Sequence, residues 1–262
     1  MILAVDVGNS NTTVGLFNGT GELLFRALLE TSRSKTRDQC AIELLGVFQL
    51  YGADACTVDG AILSSVVPPL TTIFTDAIAR LTGIPPMVVG PGIRTGLNIK
   101  AEIHNQLGSD IVASSVAAIA KYPSPIVMVD MGTATSLSLI VGSVYEGCII
   151  MPGLALALDA LSERAAALPP ISIETASPVG LMGHTTEEAM RSGVLYGHAS
   201  IVDGMLERIE ESIGQSVTTV ATGGNAPRIL RYCKRPIQYD ADLIMTGLYL
   251  LYQKNAKKYR KA

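Results

Sequence analysis

The chain opens on an apolar run, Met1-Ile-Leu-Ala-Val5, that stops at Asp6. A short apolar run bounded by turn residues predicts a buried strand. A second strand is predicted over 14–17 and a third over 23–29, with Asn18-Gly19 as the hairpin signal between them. Residues 36–51 carry apolar positions at helical spacing (Ala41, Ile42, Leu44, Leu45, Val47, Phe48), and Gly52 follows as a stop. Then come a buried strand over 60–67 ending at Pro68-Pro69, a helix over 70–81 closed by Gly83, and a short strand over 87–89. Gly90-Pro-Gly92 begins a loop to about Gly108, and an Ala- and Ser-rich helix is predicted over 110–120. The second half repeats the order: a strand up to Asp130, strands over 136–141 and 146–150, and helices over 155–167 and 186–213. A strand over 217–221 runs into Thr222-Gly-Gly224, and the last helix starts near Asp242.

The repetition extends to a motif. Asp6-Val-Gly-Asn-Ser-Asn11 returns as Asp130-Met-Gly-Thr-Ala-Thr135, 124 positions on (130 − 6) in a chain of 262. Two related halves are the simplest cause, so an α/β protein of two domains, 1–120 and 121–262, is expected. Each domain is a hairpin-led mixed sheet flanked by helices. A strand ending in Asp, followed at once by Gly and small hydroxyl or amide residues, makes a phosphate-binding turn. Gly lets the backbone come close, and N–H groups and short side chains donate. Two such turns across a cleft would clamp a nucleotide triphosphate and its metal. By analogy of element order, this is the duplicated actin-like (ribonuclease H-like) architecture of actin-like ATPases and sugar kinases.

Composition narrows the function classes. With 48% hydrophobic and 16% charged residues the chain can bury ample core. A net charge of −3 argues against general nucleic-acid binding. The basic end (Lys254, Lys257, Lys258, Arg260, Lys261) reads as a solvated helix end. The four cysteines (Cys40, Cys56, Cys148, Cys233) form no C-x-x-C pair, so a reduced, cytoplasmic location is expected and a structural zinc site is not. No apolar stretch reaches the roughly 18 residues of a membrane helix, and the N-terminal run lacks the basic start of a signal peptide.

Each candidate residue has a structural reading beside the chemical one. Gly8, Asn9, Ser10, Asn11, Thr12 and Thr13 could be an ordinary Asn/Gly-rich hairpin turn. A carboxylate at the mouth of an apolar strand needs a reason, and Mg²⁺ held directly or through water supplies one for Asp6. The second copy favours phosphate binding. Asp130 could cap its own turn or bind a cation beside phosphates; Thr133 and Thr135 could meet a phosphate or satisfy a β-turn. Asp110 is evenly poised between a helix-start residue, with Ser109 as N-cap, and a general base for a substrate hydroxyl. Thr222-Gly223-Gly224 suits either a tight turn or close approach to an adenine or ribose. Thr185-x-x-Glu188 is a capping box that leaves the Thr186 hydroxyl spare. His104, His184 and His198 show neither metal spacing nor a triad.

The ordered set of motifs resembles the type III pantothenate kinase family over essentially the whole chain. It is carried by the two Asp turns, Gly90-Pro-Gly-Ile-Arg-Thr-Gly-Leu-Asn98, Gly108-Ser-Asp110, Pro152-Gly153, Arg164-Ala-Ala-Ala-Leu-Pro169, Met190-Arg-Ser-Gly193, Tyr196-Gly197, Val202-Asp-Gly204 and Ala221-Thr-Gly-Gly224. The resemblance implies an actin-like homodimer that phosphorylates the pantothenate hydroxyl with ATP, the opening step of coenzyme A synthesis, with Mg²⁺ and a monovalent cation, potassium or ammonium. It assigns ATP phosphates to Asp6, Val7, Gly8, Asn9, Ser10, Asn11, Thr12 and Thr13, with a further contact from Thr133. It assigns the monovalent cation to Asp130 and the proton acceptor to Asp110. Gly108, Ser109, Asp110 and Ile111 fall in the pantothenate stretch, and Thr186 would reach in from the partner subunit.

Departures from the family pattern cluster on the acyl-substrate side. Ile111 stands where the family has Arg, Ala101 where a pocket Tyr is usual, Ile103-His104 where Asn-Pro is usual, and Thr185 where Asn precedes the substrate threonine. Losing an Arg that meets a carboxylate costs about 1.5–3 kcal/mol unless Arg94 or Lys100 compensates. Two alternatives to a pantothenate kinase follow: a kinase of another small hydroxyl compound, and a non-catalytic ATP-binding regulatory paralogue. Retention of Asp110 and the acidic net charge argue against the latter.

Overall fold

The structure, a computed structural model, describes residues 1–100, 107–173 and 179–259. It divides into two compact units, one of Met1–Lys121 together with the chain from Asp242 onward, the other of Tyr122–Ala241.

The first unit contains β1 (Ile2–Val7), β2 (Asn11–Phe17), β3 (Leu23–Glu30), α1 (Arg37–Leu50), β4 (Gly60–Ser65), α2 (Pro68–Thr82), β5 (Met87–Val88), β6 (Asn98–Ile99) and α3 (Ser109–Lys121). Its sheet runs β3-β2-β1-β4-β5. β1 is antiparallel to β2 and parallel to β4. Side chains alternate across a strand, so one run serves two layers. Leu3, Val5 and Val7 join a core with Cys40, Leu44 and Phe48 of α1 and Leu70, Phe74 and Ile78 of α2. Ile2 and Ala4 join another with Ala113 and Val116 of α3. Burial on both faces explains why β1 reads as a continuous apolar run. Asp6 is the next residue on the α3 face.

The second unit contains β7 (Ile126–Met131), β8 (Ala134–Val141), β9 (Val144–Pro152), α4 (Leu154–Arg164), α5 (Thr186–Ile213), β10 (Thr218–Thr222), α6 (Ala226–Leu230) and β11 (Gln238–Tyr239). Its strands follow the order β11-β10-β7-β8-β9. β7 is antiparallel to β8 and parallel to β10. The lead strand of each unit therefore has a hairpin partner on one side and a parallel strand on the other. Two mixed sheets flanked by helices are the α/β fold expected from the repeat.

Three details differ from the sequence reading. The last helix, α7 (Leu243–Tyr259), belongs with the first unit, not with 121–241. Met245, Leu248 and Leu251 complete the core that holds Ala4 and Ala113. Gly247 permits the approach, since a Cβ there would lie 1.9 Å from the Ala113 carbonyl oxygen. Pro68 and Pro69 begin α2 as well as ending the strand before it, because a helix's first N–H groups have no partner to lose. The β2–β3 connection is a five-residue loop, 18–22, and not a two-residue Asn-Gly turn. Asn18 Oδ1 accepts the N–H groups of Thr20 and Glu22, and the left-handed residue is Gly21 (φ 88°). Among the described residues no helix is long and apolar enough to cross a membrane.

Candidate active site

In the first unit the turn after β1 is closed by Gly8 N–H donating to Asn11 O at 3.0 Å. A Cβ on Gly8 would sit 2.9 Å from that same oxygen, which accounts for glycine here. Asn9, Ser10 and Asn11 are exposed, while Thr12 is buried and its hydroxyl bonds that of Thr31 at 2.8 Å. Asp6 is only 8% exposed. Its register partners are Thr13 on β2 and Ser64 on β4.

Ser64 joins this turn to the second candidate motif. Its hydroxyl lies 2.9 Å from Ser109 Oγ, at the first residue of α3. Ser109 Oγ also accepts the Ser65 N–H at 3.1 Å and donates to Ser65 O at 3.2 Å. The start of α3 is thereby tied to the end of β4, and Asp110 follows directly. Ser109 is not the N-cap expected of it. Gly108 O accepts the first helical N–H, from Val112 at 3.1 Å, so Gly108 occupies that place. A side chain on Gly108 would meet Asp110 Oδ1 at 2.3 Å. Asp110 Oδ1 accepts the Ile111 N–H at 2.8 Å. Burial pushes the Asp110 carboxyl above the usual carboxylate range, and the Ile111 N–H offsets this in part. Asp6 and Asp110 thus belong to neighbouring elements on one face of one sheet, linked through Ser64 and Ser109.

In the second unit the corresponding turn is shorter. Gly132 N–H donates to Ala134 O at 3.0 Å, and Thr133 and Ala134 are exposed. The carbonyls of this turn are all engaged. Met131 O accepts from Asn225 N–H, Gly132 O from Asn225 Nδ2, and Thr133 O from Gly153 N–H. Gly153 permits this, since its Cβ would fall 2.3 Å from Thr133 O. Asp130 is half-buried. Gly223, in the left-handed region at φ 91°, leans on it, and a Cβ there would lie 2.6 Å from Asp130 Oδ1. The Thr222-Gly-Gly224 turn therefore has a local reason for its glycine. The surroundings of Asp130 offer carboxylate and carbonyl oxygens, a donor set that suits a hard cation and not a soft one. Thr135 is buried, and its hydroxyl has no hydrogen-bond partner.

At the start of α5, Thr185 is the N-cap and accepts the Glu188 N–H at 3.2 Å. The Glu188 carboxylate reaches the His184 N–H, one residue before the position a capping box uses. Thr186 is exposed on the first turn. His198 is buried and paired with Pro152 O at 2.9 Å, which accounts for it structurally. Among the described residues no group of three or more His, Cys, Asp or Glu side chains could hold a metal.

Ile111 is half-buried on the first turn of α3. Arg94 lies between β5 and β6. Its backbone is held both ways by the buried Asn255 side chain, at 2.9 and 3.0 Å. Ala101, Ile103 and His104 lie outside the described residues. Sequence reading missed Ser64, Asn225 and the clasping role of Gly153. Ser64-Ser65 at the end of an otherwise apolar strand was the available signal.

A sheet unit built twice, each copy ending its lead strand in Asp-x-Gly, defines the class of actin-like ATPases and sugar kinases. Solved structures agree on the fold. A ROK family glucokinase from Streptomyces griseus, in complex with glucose and AMPPNP, matches at TM-score 0.56 and 11% identity, covering 96% of this chain and 99% of that one. A Campylobacter jejuni protein provisionally described as a Baf family transcriptional activator matches at TM-score 0.61 and 19% identity, covering 97% and 99%. The type III pantothenate kinase family model matches residues 2–208. Type III pantothenate kinases from an Exiguobacterium species and from Geobacillus thermodenitrificans are each 39% identical, covering 98% of this chain and 100% and 99% of their own lengths. The chain belongs to the type III pantothenate kinase family.

Proposed function

We propose that this protein is a pantothenate kinase, transferring the γ-phosphoryl group of ATP to the pantothenate hydroxyl to give 4′-phosphopantothenate. The Asp6–Thr13 turn holds the ATP phosphates, and Thr133 adds a contact. Asp110 Oδ2 accepts the hydroxyl proton as the substrate oxygen bonds to the γ-phosphorus, and the bond to the bridging oxygen breaks to release ADP. Phosphoryl transfer asks mainly for positioning and charge neutralisation, with one carboxylate at the nucleophile. Asp6 would hold Mg²⁺, and Asp130 with its neighbouring carbonyls would hold potassium or ammonium. When bound, these cations offset the negative charge of the triphosphate. Gly108 to Ile111 form the pantothenate side, and Thr186 serves the site of a partner subunit in a homodimer. A cytoplasmic biosynthetic enzyme fits this reading.

The observation that carries it is the linkage from Asp6 through Ser64 and Ser109 to Asp110. It supports a phosphate turn and a proton acceptor acting together. The test is ATP turnover by the purified protein with Mg²⁺, with and without pantothenate, in potassium and in sodium buffer. Pantothenate-dependent turnover favoured by potassium is expected. ATP binding without pantothenate dependence would sink the substrate assignment. Ile111, apolar and half-buried beside Asp110, favours a second reading: a kinase of another small alcohol. A panel of alcohols with ATP separates the two.

A further inference from the structure

We infer that Ser64 is a positioning residue for phosphoryl transfer, acting through Ser109 to hold the Asp110 carboxylate in place. The inference rests on the reading of Asp110 as proton acceptor and adds a residue that the ordered motifs did not single out.

A serine hydroxyl has one proton to donate and two lone pairs that accept. Ser109 Oγ accepts the Ser65 N–H at 3.1 Å and donates its proton to Ser65 O at 3.2 Å. Its 2.9 Å contact with Ser64 Oγ is a third bond, in which either hydroxyl can donate. Ser109 Oγ is thus held to β4 through both Ser64 and Ser65.

Ser64 supplies what Ser109 does not. It is fully buried at 0% exposure on β4, a central strand of its sheet, and is the register neighbour of Asp6 on β1. A buried hydroxyl on a central strand is a fixed point. The residue it holds is the first of α3, and the next is Asp110. Gly108 has no Cβ to crowd Asp110 Oδ1, and the Ile111 N–H bonds that same oxygen. The direction of Oδ2 is therefore set by how firmly the first turn of α3 is tied to β4. Misplacing a reacting group by about 1 Å can cost roughly a hundredfold in rate.

The experiment is a double-mutant cycle of Ser64→Ala with Asp110→Asn, with Ser64→Thr as the rescue variant. Each variant's melting is measured first, and rates are taken well below the transition. Ser64→Ala is expected to lower kcat about tenfold or more while KM for ATP stays within about twofold. Ser64→Thr, which keeps a hydroxyl, restores most of the rate. In the Asp110→Asn background the further loss from Ser64→Ala disappears, because two residues acting as one unit are not additive. An equal fractional loss in both backgrounds, or no loss at all, overturns the inference. Near-normal turnover by Asp110→Asn alone would overturn the proton-acceptor reading instead. A substrate-free readout is hydrogen exchange at the Ile111 and Val112 amides, expected to quicken in Ser64→Ala. Unchanged exchange there overturns the tie whether or not pantothenate is turned over.

Discussion

The turn after Asp6 and the turn after Asp130 begin from the same device and are finished differently. In the first, three residues from Gly8 to Ser10 separate the strands, and the amide and hydroxyl side chains of Asn9, Ser10 and Asn11 stand exposed. In the second, only Gly132 and Thr133 separate them. The carbonyls of Met131, Gly132 and Thr133 are each clasped by Asn225 or Gly153, and Gly223 presses on the carboxylate. The first is a set of donors with room to adapt, which suits phosphate oxygens. The second is a collar of hydrogen-bonded carbonyls following a carboxylate, a set of oxygens that would suit a cation. Among the described residues, only the first has a helix start whose half-buried acid is tied to its neighbouring strand. The two copies of one scaffold thus differ in how their turns are packed, and the proposed division into a phosphate turn and a cation site rests on that difference.

The largest expected effect breaks the asymmetry at its acid. Asp110→Asn keeps an oxygen for the Ile111 N–H but cannot take a proton, so kcat should fall about 10²–10⁴-fold with ATP affinity within a few-fold. Burial raises the Asp110 carboxyl, so its ionised form disfavours folding above the folded-state value, and that cost fades as pH falls through it. The variant should melt no lower than the wild type near neutral pH, and any advantage should shrink on acidification. Steady-state kinetics and melting curves across pH check both parts. A variant that melts lower throughout would mean that the carboxylate's bonds outweigh its burial.

Next in size is the collar. Gly223→Ala forces an L residue into φ 91° and brings a Cβ within 2.6 Å of Asp130 Oδ1 and 2.7 Å of the Met131 backbone. It should cost about 2–4 kcal/mol in denaturant unfolding and abolish any preference for potassium. Gly8→Ala meets a single oxygen at 2.9 Å without a positive φ, so its stability loss should be smaller and its effect should fall on ATP affinity. Equal losses from the two would contradict the contrast between open and clasped turns.

The carboxylates themselves make a smaller, cleaner pair. Asp6→Ala should weaken ATP binding or its Mg²⁺ dependence by about tenfold, roughly one lost charge-assisted contact. Asp130→Ala should leave Mg²⁺ dependence alone and flatten the response to potassium over sodium. Isothermal titration with each cation varied in turn distinguishes them, and a swapped pattern would reverse the two assignments.

How much of this the sequence displayed follows from what a linear pattern can carry. The Asp-x-Gly repeat sits at strand ends, where apolar periodicity stops, so both turns and the lead strands were legible at once. The return of α7 to the first unit was not, because an apolar helix face does not say which sheet it will cover. Ser109 was misread as the cap because a capping hydroxyl and a hydroxyl bonded to a distant strand look alike in one dimension. The same limit hid Ser64, whose partner is 45 residues away. The two-residue strand β11 and the five-residue helix α6 carry too few periods to register. The asymmetry of the two turns was invisible for a related reason, since Gly153, Gly223 and Asn225 are distant in sequence from the carbonyls and carboxylate they hold.

The smallest effect expected on the fold, and the one that most sharpens the substrate side, is Ile111→Arg. The backbone bond from Ile111 N–H to Asp110 Oδ1 survives the change, because it does not involve the side chain. Residue 111 is half-buried on the first turn of α3, so a longer side chain has a route to solvent. A cation at a helix N-terminus opposes the dipole, which should cost about 0.3–1 kcal/mol of stability. If the acyl substrate brings a carboxylate to this position, the guanidinium gains a charge-assisted bond of about 1.5–3 kcal/mol, or about ten- to a hundredfold in affinity. The gain should appear in KM for pantothenate and leave kcat nearly unchanged, because the contact is made equally in ground and transition states. An unchanged KM would mean that the substrate's charge is met elsewhere. A KM that rises while another alcohol is turned over well would mean that the apolar Ile111 is the specificity determinant, and that this member phosphorylates a less acidic acceptor.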